Sequence, residues 1–205
     1  MLLCELACEL RVREAYNAQA VVCAEGPQLV LATNLAATSA DAPSFAATVL
    51  GMRDTVGLPR TVLADTGYAS GPAVRALRAN KVEPLVAIGR TQPHRPYDFR
   101  PPPEAKAPRR ITQPWRIAMK TKMETDDAKA LDKKRKQSVE TVFGIIKSAM
   151  GFRRFYLRGI KNAATEWTLI ALAYNCRRMH RLQTACTSLS RPSEIGRTEE
   201  SNRLR

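Results

Sequence analysis

The sequence predicts an α/β domain with a mixed sheet flanked by helices, and three observations predict it. Short β-prone runs alternate with helical patterns from Tyr16 to Arg90. The first two of those runs are joined by a tight turn, and two long helical patterns close the chain.

The elements follow in order. AYNAQAVV alternates, AEGP makes a turn and QLVLATNL is a second β-run, so residues 15–35 read as a hairpin. In SFAATVLGMRDTVG, Phe45, Val49, Leu50 and Met52 share a helical face that ends near Gly57. RTVLAD is a short run of the kind found in a buried strand. Ser70 and Pro72 supply a cap and a first-turn proline for a helix through Ala79. PLVAIGR reads as another buried strand. Residues 91–116 hold many prolines and arginines and read as an extended basic segment, part of a Pro/Arg-rich insertion spanning 91–124. A helix is expected from Thr125 to Ala149, with Val139, Val142, Phe143 and Ile146 on its apolar face and Gly151 as its stop. A second is expected from Asn162 to Leu182, carrying Trp167, Ile170, Ala171 and Tyr174. Residues 184–205 read as a disordered tail. Residues 1–14 fit either one amphipathic helix or a strand interrupted by charge.

A chain of 205 residues with 44% hydrophobic content can bury a real core. Its net charge of +14 points to a polyanionic partner, nucleic acid before an anionic membrane surface. The five cysteines form no zinc-ligand spacing, and reduced thiols in a cytoplasm are the expectation. No apolar stretch approaches the roughly 18 residues of a membrane span. The opening MLLCELACEL carries Glu5 and Glu9 and makes a poor signal peptide.

Two acids carry the chemical question. Asp65 stands in LADTGY, where a β-run stops and a turn begins. It is either a turn residue bonding its own backbone or a metal ligand at a strand end. Glu140 lies in a segment, Lys133 to Arg181, that holds twelve lysines and arginines but only Glu140 and Glu166 as acids. Lys133, Lys136 or Gln137, Glu140, Gly144 and Lys147 share one stripe beside the apolar face. An i,i+4 ion pair with Lys136, contributing a few tenths of a kcal/mol, accounts for that spacing. So does a second role: two-metal phosphoryl transfer needs carboxylates from separate elements that converge on ions about 4 Å apart. Mg2+ prefers such oxygen ligands, and a basic surround holds the phosphate backbone.

LVLATNLAATSADAPSF, LADTGY and RKQSVETVFGIIKSAMGFRRFYLRGIKNAATEWTLIALAYNCRRM together resemble the DDE transposases of bacterial insertion sequences, over about residues 15–182. The resemblance implies a ribonuclease H-like fold, with three acids that bind two Mg2+ (or Mn2+) ions for cleavage and transfer of DNA strands. It makes Asp65 the second acid and Glu140 the third. It makes Arg135, Lys147, Arg153, Arg154 and Arg158 DNA contacts.

The chain also departs from that family. The first Asp belongs on the strand before the hairpin, and MLLCELACELRVRE contains none; Glu5, Glu9 and Glu14 are the only substitutes there. Cys23 stands where an Asp often closes the first hairpin strand, and Ala130-Leu131 replaces the usual aromatic. No helical DNA-binding region precedes the hairpin. The resemblance therefore implies an N-terminally truncated transposase, inactive alone, with residues 1–14 as an atypical leader in place of the first strand. Unless that leader fills the central slot, unpaired strand edges are expected. Its expected partners are DNA (transposon ends and target), a second copy or an intact transposase, in the bacterial cytoplasm at the nucleoid, with no membrane. The alternative is a non-catalytic DNA-binding regulator of transposase descent.

Overall fold

The computed structural model describes residues 2–6, 16–89 and 111–189, with side chains from 16–89 and 111–185. Five strands, β1 (Leu2–Leu6), β2 (Asn17–Val22), β3 (Val30–Ala36), β4 (Thr61–Ala64) and β5 (Glu83–Val86), form one sheet in the order β3-β2-β1-β4-β5. The first three are antiparallel; β4 is parallel to β1 and to β5. The hairpin, the strand at RTVLAD and the strand at PLVAIGR all form where the β-runs place them. Leu2–Leu6 is a strand, paired with β2 on one side and β4 on the other, and occupies the centre of the sheet.

The helices cover both faces. Helices α1 (Phe45–Leu50), α2 (Gly71–Ala79) and α3 (Pro114–Met123) lie on one, where Phe45, Val49, Leu77 and Met119 pack with Val21, Val62 and Ala64. Helices α4 (Asp126–Gly144) and α5 (Ile160–Leu189) lie on the other, where Val139, Val142, Ile146, Trp167 and Tyr174 pack with Ala18, Ala20, Val22 and Leu63. Alternation along each strand divides the side chains between these two cores.

Three expectations shift. The segment read as extended through residue 116 becomes helical at Pro114, because proline at a first helical position loses no hydrogen bond. Residues 90–110 lie outside the described structure. Ser70 precedes α2 as expected, but its side chain makes no capping bond. α5 continues to Leu189 rather than stopping near Leu182, so residues 184–189 are helical; residues 190–205 lie outside the described structure. Thr125 does cap α4, accepting from the Ala128 N–H, and a π-turn at Ile145–Ala149 ends that helix before Gly151 reverses the chain at φ +80°.

A network of polar side chains is buried near one end of the sheet. Gln19, fully buried in β2, donates from Nε2 to Asp41 Oδ1 at 2.9 Å. Its Oε1 accepts from Asn34 Nδ2 at 3.0 Å and Ser44 Oγ at 2.6 Å. Asn17 Nδ2 donates to the same Asp41 oxygen. Such bonds offset the cost of removing polar groups from water. Asp41 also explains the glycine of LADTGY: a Cβ on Gly67 would lie 2.6 Å from Asp41 Oδ2.

Glu83 of β5 clamps the α2/α3 side, accepting from Lys122 Nζ at 2.7 Å and Arg78 Nη2 at 3.1 Å. Burial opposes its ionisation, but hydrogen bonds and charges from Lys122 and Arg78 outweigh it and hold the carboxyl below the usual range. The sign follows. A depressed carboxylate adds stability above its unfolded pKa of 4.5 and loses it as pH falls through the folded value. Acid unfolding of Glu83→Gln, followed by circular dichroism, is expected to lose part of the wild-type drop in stability below pH 4.5. Identical acid transitions would contradict this.

Candidate metal centre and nucleic-acid interface

β4 ends at Ala64 and sets Asp65 at its carboxyl end, as the residue before a 3₁₀ turn at Thr66–Tyr68. There the Asp65 side chain accepts from the Thr66 N–H at 2.7 Å, the local bond expected of a turn aspartate. It remains largely exposed, with 60% of its side-chain surface open.

α4 brings a guanidinium to it. Arg135 is nearly buried, its side chain 11% exposed, with Nη2 3.8 Å from Asp65 Oδ1. Its Nε donates to Asp132 Oδ1 at 2.7 Å, one turn earlier on the helix. A buried cation needs such partners, since removing them leaves its charge uncompensated. The Arg135 guanidinium therefore lies between two aspartates rather than on an open surface. Lys136 also pairs with Asp132, at 3.6 Å, so the pair with Glu140 allowed by spacing does not form.

Glu140 is exposed and has no ion-pair or hydrogen-bond partner among the described residues. Five residues at about 100° each carry it about 140° round the axis from Arg135. It sits on the exposed stripe with Lys133 and Lys136. The structure thus brings Asp65 to Arg135 and Asp132, and it turns Glu140 toward solvent.

The register of β1 bears on the missing acid. Leu2 pairs with Leu63, so two residues further along both parallel strands Cys4 stands level with Asp65. Cys4 also pairs with Ala20, whose side chain is in the α4/α5 core, whereas Glu5 pairs with Gln19, whose side chain serves the opposite face. The Glu5 position is therefore on the wrong face to stand in for an acid beside Asp65. Glu9 and Glu14 lie outside the described residues. Among the described residues no three His, Cys, Asp or Glu side chains gather where they could hold a metal.

The other basic residues lie in the π-turn and in the loop that follows it. Lys147 is half-buried, and its carbonyl accepts from Arg153 Nε at 3.4 Å. Arg153, Arg154 and Arg158 are exposed on the loop between α4 and α5. Glu166 of α5 reaches back to this loop and accepts from the backbone N–H groups of Tyr156 and Leu157 at 2.9–3.0 Å. Sequence reasoning missed Asp132, whose signal is its i,i+3 spacing to Arg135, and the loop-holding role of Glu166, which no spacing rule reports.

Among the described residues no helix is long and apolar enough to cross a membrane. No curated protein and no solved structure matches the chain. A family model described as the transposase DDE domain matches residues 9–176, most of the chain and all the elements that carry Asp65, Glu140 and the basic loop. The chain belongs to the transposase DDE domain family.

Proposed function

We propose that this chain is a ribonuclease H-like DNA-binding domain of transposase descent, with an incomplete carboxylate centre, that grips DNA without cutting it. The observation that carries this reading is the pairing of Leu2 with Leu63, which, continued along both parallel strands, sets Cys4 rather than an acid level with Asp65. Arg135 adds to it by supplying Asp65 with a positive charge from the protein itself. The strand order, with an antiparallel hairpin on one side of β1 and two parallel strands on the other, supports the ribonuclease H-like assignment. In the family, divalent ions activate the attacking oxygen and stabilise the leaving one. This chain keeps a basic surface for the strand but not the ligands for that chemistry. Its ligand is then DNA such as transposon ends or target, in the bacterial cytoplasm at the nucleoid, where it competes with an intact transposase.

Lys147, Arg153, Arg154 and Arg158 are the phosphate contacts in this reading, and Arg135 is the residue that holds Asp65. DNA affinity should fall steeply with salt as phosphate contacts are replaced by counterions. Changing Arg153, Arg154 and Arg158 together to Ala is expected to reduce the slope of log K against log salt by roughly 3, about one for each arginine replaced. Fluorescence anisotropy at several salt concentrations measures it, and an unchanged slope would remove these residues from the interface.

α5 offers a second surface. Leu169, Leu172 and Met179 are exposed on its outer side with heptad-like spacing. The neighbouring Thr168, Ala173, Asn175, His180 and Leu182 carry no formal charge at pH 7 with His neutral, in a chain of net charge +14. Two copies can approach along this stripe with the least mutual repulsion, so we assign it to a second copy of the chain. Sedimentation across a concentration series is expected to show a dimer that Leu169→Lys with Leu172→Lys converts to monomer. A wild-type monomer at all concentrations would refute the assignment.

A further inference from the structure

Tyr156 is the most exposed large apolar side chain among the described residues, at 65%. Its surroundings show that this exposure is held in place. The loop that carries it runs between Gly151 and Gly159, both in the left-handed region, at φ +80° and +81°. Within it Phe155 turns inward, its ring edge-on to Trp167 with centroids 6.5 Å apart and edge-on to Tyr16 at the same separation. The next residue, Tyr156, must turn outward. Its own N–H and that of Leu157 are captured by the Glu166 carboxylate, which fixes the backbone beneath the ring. The Arg154 guanidinium lies 5.1 Å from the ring centroid and occupies one face of it. Arg153 and Arg158 are exposed on the same short loop.

An aromatic ring fixed from below and surrounded by arginines suits one ligand chemistry. Nucleobases stack on such rings whatever their identity, while the cations take the adjoining phosphates. Bases inside a duplex already stack on one another, so only an unpaired base can offer its face. We infer that Tyr156 is a stacking platform for an unpaired nucleobase, and that the loop binds the single-stranded part of a frayed or overhanging DNA end. This rests on the DNA-binding reading above and adds the form of DNA that the loop prefers. Arg154 covers one face of the ring and leaves the other to the base, and its guanidinium edge stays available to the adjoining phosphate.

The test compares full-length protein on three labelled DNAs by fluorescence anisotropy: a blunt duplex, the same duplex with a short single-stranded overhang, and that overhang with abasic sites. Wild type is expected to bind the overhang more tightly than the blunt or abasic forms. Tyr156→Ala should weaken overhang binding by roughly 5- to 150-fold, the range for losing one stacked base, and leave blunt binding unchanged. Tyr156→Phe should retain the preference, since it keeps the ring and loses only the hydroxyl. The side chain is exposed, so the Ala variant should match wild type by circular dichroism. Equal effects of Tyr156→Ala on all three DNAs, or no effect on any, would overturn the stacking role while leaving DNA binding intact. Failure of wild type to bind any of them would overturn both readings.

Discussion

Replacing Cys4 by Asp is expected to raise the chain's affinity for Mn2+. The reason is geometric. β1 is paired on both sides, to β2 through five residues and to β4 through Leu2 and Leu63. This places position 4 level with Asp65 and on the α4/α5 face, where a carboxylate would give a divalent ion a second oxygen donor. Hard cations bind through such oxygens, and affinity rises with ligand charge. Isothermal calorimetry is expected to show at least a roughly tenfold gain in Mn2+ affinity for Cys4→Asp over wild type. Thermal unfolding should agree: Mn2+ should raise the melting temperature of the variant more than that of wild type, because a ligand stabilises the state it binds. Glu5→Asp is the control, since its position is on the other face, and it should gain nothing. If Cys4→Asp and wild type bind Mn2+ equally, β1 does not stand beside Asp65 as described.

The second large effect concerns the core that sets α4 and α5 on the sheet. Trp167 is 1% exposed, stacks on Phe143 with ring centroids 5.8 Å apart, and donates from Nε1 to the Gln19 carbonyl at 2.8 Å. Its indole joins α5 to β2 and to α4 and backs the loop through Phe155. Trp167→Ala is expected to cost about 3–5 kcal/mol, the range for emptying a buried aromatic site. That is a large share of the roughly 5–15 kcal/mol by which domains of this kind are stable. Trp167→Phe keeps most of the volume and loses the donor, and should cost about 1–3 kcal/mol. Urea unfolding measures both. Similar midpoints for wild type and Trp167→Ala would show that α5 is not anchored through this residue.

Much of this was legible in the sequence, for identifiable reasons. The hairpin, β4, α2 and β5 are local patterns, alternating or β-branched runs punctuated by Gly and Pro, and they form where those patterns stand. α3 was hidden because Pro114 reads as a breaker until its first-turn position is known. β1 was ambiguous because LLCEL becomes a strand through pairing with distant segments, β2 and β4, which no local period encodes. The basic stripe of Glu140 was readable from helical spacing. The contact of Asp65 with Arg135 was not, since it joins residues seventy positions apart and depends on how α4 crosses the sheet. Asp132 then decides the fate of Lys136, which turns back one helical turn and leaves Glu140 without the neighbour that spacing allowed.

We propose above that the chain holds DNA without the ligands to cut it. This proposal is tested most directly by incubating the purified protein with a labelled DNA duplex, with and without Mn2+, while monitoring binding and strand cleavage in the same sample. The expected result is salt-sensitive binding with no cleavage in either condition. Mn2+-dependent nicking that Asp65→Ala and Glu140→Ala abolish would contradict it, and would show that these two acids still form a working centre.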